Sequence, residues 1–287
     1  MRKAAIGIVT FAALIGTPVL AADMPVKAPP APPPPVSSWT GFYVGANGGY
    51  GWRNVGASES PADPLTQFPE PGGQTLVNSA STSLDTKGWF GGVQAGYNWQ
   101  FNDRWVAGLE TDIDGANIKG SGSANVFMTA LPIDTLTASQ KVDWFGTTRA
   151  RLGYLPANNL MIFATGGVAY GRVDETANVG ISPGFAFGGQ GFGFALACSN
   201  PTSFAGPTCF AGSQSRTSAG WTAGGGVEAQ LSRSLTLKVE YLYVNLGSSN
   251  FNLPAVFVPP GFAPSILRAS FGDASFNLVR VGANWRF

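Results

Sequence analysis

The residues able to do chemistry in this chain are few. Histidine does not occur among its 287 residues, which removes the commonest general base and the usual ligand for transition metals and haem. Charged residues make up 11% of the sequence, against about 25% in an ordinary soluble domain. They recur in alternation: Glu110, Asp112 and Asp114; Lys141 and Asp143; Arg149 and Arg151; Lys238 and Glu240, with Glu228, Arg280 and Arg286 set singly among apolar neighbours. Acids and bases nearly balance, and the chemistry such a set suits is mutual ion pairing. Alternate carboxylates at 110, 112 and 114 project to one side of an extended chain and could hold a hard cation. They lack the Gly-turn of a calcium loop, and the arginines are simpler partners. No cofactor is expected, and a net charge of +1 gives no reason to expect a nucleic-acid partner.

The elements that position these residues are set by the rest of the chain. Arg2 and Lys3 precede an apolar run over residues 4–16 and a small-residue stretch, the pattern of a secretory signal peptide. We assign residues 1–21 to that peptide and residues 22–38, rich in proline, to an extended periplasmic tether. Cys198 and Cys209 are the only cysteines, and in an exported protein they predict a disulfide across a long loop.

From Trp39 onward the apolar period is two, the signature of strands. Phe42, Val44, Ala46, Tyr50 and Trp52 share one face, opposite Tyr43 and Asn47. Trp89, Val93, Tyr97 and Trp99 oppose Gln94 and Asn98; Trp105, Leu109 and Ile113 oppose the three carboxylates. Val142, Trp144, Leu152 and Tyr154 oppose Asp143, Thr147, Arg149 and Arg151. The pattern returns at residues 160–173, 221–231, 235–243 and 279–287. Short turns alternate with long connections rich in Gly, Ser and Pro.

Periodicity alone does not say which face is inside. Length does: ten residue steps, as from Phe42 to Trp52, span roughly 33 Å at about 3.3 Å each. Tilted, such a strand matches an apolar band roughly 25 Å tall, with aromatics at its edges. In lipid every backbone donor must be paired, which strands achieve only in a closed barrel. The expected fold is all-β: a closed antiparallel eight-stranded up-and-down transmembrane β-barrel over residues 39–287, with four long extracellular loops and three short periplasmic turns. The charged set named above then faces the lumen, where an eight-stranded barrel leaves room only for side chains.

Trp39-Thr40-Gly41-Phe42-Tyr43-Val44-Gly45, Ala164-Thr165-Gly166-Gly167-Val168-Ala169-Tyr170-Gly171 and Val281-Gly282-Ala283-Asn284-Trp285-Arg286-Phe287 resemble the alphaproteobacterial outer-membrane β-barrel family of porin-family and surface-antigen proteins. The resemblance covers essentially the whole chain. It implies an eight-stranded barrel in the Gram-negative outer membrane with both termini periplasmic, and a terminal Phe287 read by the barrel-assembly machinery. Barrel enzymes of that membrane depend on a histidine that this chain lacks. The expectation is a non-enzymatic protein that supports envelope integrity and surface exposure, its lumen plugged by ion pairs. A narrow porin-like diffusion channel and loop-mediated ligand binding or adhesion are the alternatives. The partners expected are outer-membrane lipid and lipopolysaccharide, with self-association or cell-wall contact as further roles.

Overall fold

Alternation of side chains builds one antiparallel, up-and-down, barrel-like sheet in the computed structural model, which describes residues 38–62, 79–128, 131–181, 208–256 and 266–287. Its strands are β1 (Gly41–Pro61), β2 (Ala80–Gln100), β3 (Trp105–Met128), β4 (Leu131–Ala157), β5 (Leu160–Ile181), β6 (Thr208–Gln230), β7 (Leu235–Asn245), β8 (Ser249–Pro254), β9 (Ile266–Phe271) and β10 (Ser275–Arg286). Each of β1 to β6 pairs with its successor, and β7 pairs with β10. In turn β10 pairs with β1, from Tyr43↔Arg286 to Trp52↔Asn277. The β8–β9 hairpin continues the β7–β10 ladder beyond a break at 246–248 and 272–274, and β9 rejoins β1 at Ala57↔Phe271.

Three tight connections lie at one end. Asn102 Oδ1 accepts from the amides of Arg104 and Trp105 at 2.9 and 2.8 Å, closing the β2–β3 turn. The β4–β5 turn needs only Asn158 and Asn159, and Ser232 Oγ accepts from the Leu235 amide at 3.1 Å between β6 and β7.

At the other end the strands run far past the aromatic residues that sequence reasoning took as their limits. Residues 115–140 and 174–216 read as parts of long connections, yet β3, β4, β5 and β6 continue through their described portions. Their outward residues there are mostly Ser, Thr, Asn and Gly, a composition that resembles loops while the ladder hydrogen bonds persist.

Two tiers of aromatics ring the outside. Phe42–Tyr97 and Trp105–Tyr154 pack near the short turns, with ring centroids 4.6 and 5.3 Å apart. Tyr50–Trp89, Trp144–Tyr170 and Trp221–Tyr243 pack at the upper tier. Between the tiers the outward residues are mostly apolar and exposed, Val93, Leu109, Ile113 and Val281 among them, and the hydroxyls of Thr111 and Thr148 there meet each other at 3.2 Å.

The interior is layered. Trp39, Val106, Leu155, Met161 and Phe163 form a floor beside the short turns. The charged residues lie above it. A second apolar layer comes next, centred on Phe145, whose ring packs edge-on against Phe90 at 5.3 Å and Phe276 at 5.2 Å. Beyond the upper aromatic tier a third apolar core, with Leu84, Leu136, Phe210, Leu253 and Phe271, fills the extended part.

Candidate functional site: the buried charge network

β3 brings Glu110, Asp112 and Asp114 inward because they occupy alternate positions, and Arg149 and Arg151 arrive from β4 by the pairings Glu110↔Arg149 and Gly108↔Arg151. β6 adds Glu228, β7 adds Lys238 and Glu240, and β10 adds Arg280. All are buried.

Arg149 is the hub. Its Nη1 donates to Glu240 Oε1 at 2.5 Å; its Nη2 donates to Glu110 Oε1 at 2.5 Å and Asp112 Oδ2 at 2.9 Å. Arg280 reaches the same carboxylates from the opposite wall: Nε to Glu240 Oε2 at 2.7 Å and Nη2 to Asp112 Oδ2 at 3.0 Å, with Nη1 3.7 Å from Asp114. Lys238 Nζ donates to both oxygens of Glu110 at 2.6 and 2.8 Å. Arg151 donates to Glu228 Oε2 at 3.0 Å and to Asn98 Oδ1 at 2.8 Å.

Neutral groups fill part of the remaining hydrogen-bond positions, while both Asp114 oxygens, Arg149 Nε, Arg151 Nη2 and Arg280 Nη1 are buried without a hydrogen bond among the described residues. Tyr43 donates its hydroxyl to Glu110 Oε2 at 2.7 Å, and the Arg151 guanidinium lies over its ring, 4.9 Å from the centroid. Asp112 accepts from Thr147 N and Oγ1, and Glu228 accepts from Thr236 Oγ1 and Asn284 Nδ2. Gly96 leaves the space that Tyr43 occupies: a Cβ there would overlap the tyrosine hydroxyl. Charges this deeply placed are stable only when matched and hydrogen-bonded on several sides. The floor and the Phe145 layer cover the network below and above. Among the described residues no group of three or more His, Cys, Asp and Glu is arranged to hold a metal ion; Glu110 and Asp112 turn to arginine.

Two residues expected in the lumen are not there. Lys141 and Asp143 pair with each other on the outside at 2.5 Å, with side chains 47% and 30% exposed. The cause is a bulge: the register of β4 shifts at Asp143, between Val142 and Trp144 against β5 and opposite Gly115/Ile118 of β3. An extra residue re-aims the side chains beyond it, so Val142 points inward, packed into the Phe145 layer, and not outward as its alternation with Trp144 suggested. Arg286 lies lower than the network, at the mouth, where it donates to the Ser38 carbonyl and covers the Trp39 ring at 5.3 Å.

Two features went unseen in the sequence. Trp39 reads as a strand start, but its indole is buried in the floor and its Nε1 donates to the Asn158 carbonyl at 3.0 Å. A second polar layer lies higher, where Glu175 accepts from Gln140 Nε2 at 2.8 Å and from Ser249, with Arg216 Nε 3.8 Å away. The alternation Val173, Glu175, Ala177, Val179 was the available signal. Cys209 is buried and disulfide-bonded; Cys198 lies outside the described residues, as do the signal peptide and all of the tether except Ser38. Phe287 is exposed on the outer face, its amide donating to the Phe42 carbonyl at 3.1 Å.

An antiparallel sheet apolar outside between two aromatic tiers and charged within defines the class of membrane β-barrels. The chain belongs to the outer-membrane β-barrel family: the model of the outer membrane protein beta-barrel domain matches residues 9–287. It is 35% identical over 281 residues to a 31 kDa outer-membrane immunogenic protein of Brucella melitensis, covering 97% of each chain. It is 25% identical over 247 residues to a 22 kDa outer membrane protein of Rhizobium leguminosarum, covering 84% of this chain and 81% of that one. Among solved structures, the outer membrane protein OprG of Pseudomonas aeruginosa covers 86% of this chain at 12% identity with a TM-score of 0.38. The protein is an outer-membrane protein.

Proposed function

We propose that the chain is a closed, eight-stranded transmembrane barrel whose lumen is sealed, and that it serves the envelope as a structural, surface-exposed and non-enzymatic component. Its three short turns and both termini face the periplasm, and its four long connections face outward. Phe287 is the residue offered to the assembly machinery, and outer-membrane lipid and lipopolysaccharide are its surroundings. A Cys198–Cys209 disulfide ties the connection between β5 and β6.

The observation that carries the sealed reading is Arg149, held by Glu110 and Asp112 of β3 and Glu240 of β7 with no exposed surface on its side chain. A conducting lumen needs those charges hydrated, whereas here they face one another between two apolar layers. The immunogenic relatives bear on surface exposure, since antibodies meet what lies outside.

The test is conductance of the refolded mature protein in planar bilayers, after a shift in gel mobility on boiling establishes folding. Silence is the expected result. Reproducible steps that scale with salt would replace this reading with a narrow diffusion channel, and Arg149 and Arg151 would be the first selectivity variants.

A further inference from the structure

The bulge at Asp143 puts Lys141 on the outer surface, and so completes a row. Lys87 of β2 pairs directly with Lys119 of β3, and Lys119 pairs directly with Lys141 of β4. All three side chains are exposed on the outer face. Neighbouring strands lie roughly 4.8 Å apart, so the ammonium groups crowd within about 10 Å of sheet. Like charges directly opposite on one face are destabilising.

The local carboxylates relieve this in part. Lys87 meets Asp85 at 2.6 Å and Lys141 meets Asp143 at 2.5 Å, both exposed pairs. Exposed pairs of this kind hold weakly. Lys119, between them, has no ion pair among the described residues. One strand further, the residue opposite Lys141 is Asp174 of β5, which also pairs with Arg172 at 3.3 Å, so Lys119 is the member of the row furthest from a carboxylate.

The height of the row identifies what could sit there. Lys87 is two residues above Trp89, roughly 7 Å along the strand. Trp89 and Trp144 belong to the upper aromatic tier, which marks the level of lipid headgroups. The row is also one-sided. In register with it β1 carries Trp52, opposite Lys87, while β5 carries Asp174, opposite Lys141, and β6 carries Ser215, so the positive row is confined to β2, β3 and β4.

We propose that Lys87, Lys119 and Lys141 form a site for the phosphate of a membrane lipid headgroup in the outer leaflet, with Lys119 at its centre. A phosphate placed between the three ammonium groups removes their mutual repulsion and takes several charge-assisted hydrogen bonds. The tryptophans below it hold the lipid's upper acyl region. The leaflet assignment rests on the outward orientation proposed above, whereas the chemistry of the row does not.

The experiment is native mass spectrometry of the refolded full barrel in detergent, with bisphosphorylated lipid A as the probe. Wild type is expected to retain it. The Lys87→Ala/Lys119→Ala/Lys141→Ala variant, all at exposed positions, is expected to fold and to lose affinity by on the order of a hundredfold. The corresponding triple Lys→Arg variant should restore it, and Thr217→Ala should bind as wild type. Equal retention by the triple alanine variant, or equal retention of dephosphorylated lipid A by wild type, overturns the proposal. Displacement by inorganic phosphate at matched concentration overturns the lipid assignment in favour of a free anion. Orientation is read separately by proteinase K on intact cells, so protection of the long connections there would overturn the leaflet and leave the detergent result to judge the row.

Discussion

The lower and upper halves of the wall use the same strands with opposite polarity. In β2 the outward residues are Trp99, Tyr97, Val93 and Trp89 below, then Lys87, Asp85, Ser83 and Ser81 above, without a change of phase. The inward residues invert in step, from Asn98 and Gln94 to Leu84 and Ala80. β3 does the same, with Leu109 and Ile113 outside followed by Asn117 and Lys119, and Asp112 inside followed by Ile118. Backbone pairing is indifferent to this exchange. What changes is the surrounding solvent: lipid accepts apolar groups on the outside and leaves the polar ones to satisfy each other within, while water reverses both demands. The place where polarity flips at constant phase is therefore where the membrane ends.

Four substitutions bear on this contrast. The largest effect is expected in the lower interior: Arg149→Ala leaves Glu110, Asp112 and Glu240 without their shared partner and should cost about 3–5 kcal/mol in urea unfolding. Unchanged unfolding would mean that the network is hydrated. In the upper interior Leu84→Ala should cost about 2–5 kcal/mol by leaving a cavity in an apolar core, measured the same way. If it costs nothing, the upper half is not packed as a water-facing barrel. The smallest and sharpest comparison uses one substitution on the outer face at two heights. Ile113→Arg, between the aromatic tiers, should cost roughly 2–4 kcal/mol in lipid, whereas Ser83→Arg should stay within about 0.5 kcal/mol. Equal penalties would remove the boundary placed between them.

The lower half was legible in the sequence because two signals coincide there: strict alternation and aromatics at the band edges. That is why Glu110, Asp112, Asp114, Arg149, Arg151, Lys238, Glu240 and Arg280 are placed together by pattern alone. The upper half was not, for a physical reason. In strands facing water, Ser, Thr, Asn and Gly alternate with small apolar residues, and that composition also describes a loop. Glu175 and Arg216 were lost with it. Lys141 and Asp143 failed differently, since a one-residue bulge leaves no mark on composition and reveals itself only by reversing the faces on its far side. The floor role of Trp39 depends on Asn158, far along the chain, and has no local signature.

That bulge bears on how such a wall can change by mutation. In a strand where every second residue must face lipid, a single inserted codon inverts everything on one side of it. At Asp143 two neighbouring residues share the outer face, and the odd residue is absorbed on the spot. Removing it would return β4 to regular alternation with Val142 still inward and Trp144 still outward. Odd-length insertions and deletions in this wall are thus tolerable beside Asp143, while elsewhere in the belt only changes by even numbers preserve the faces.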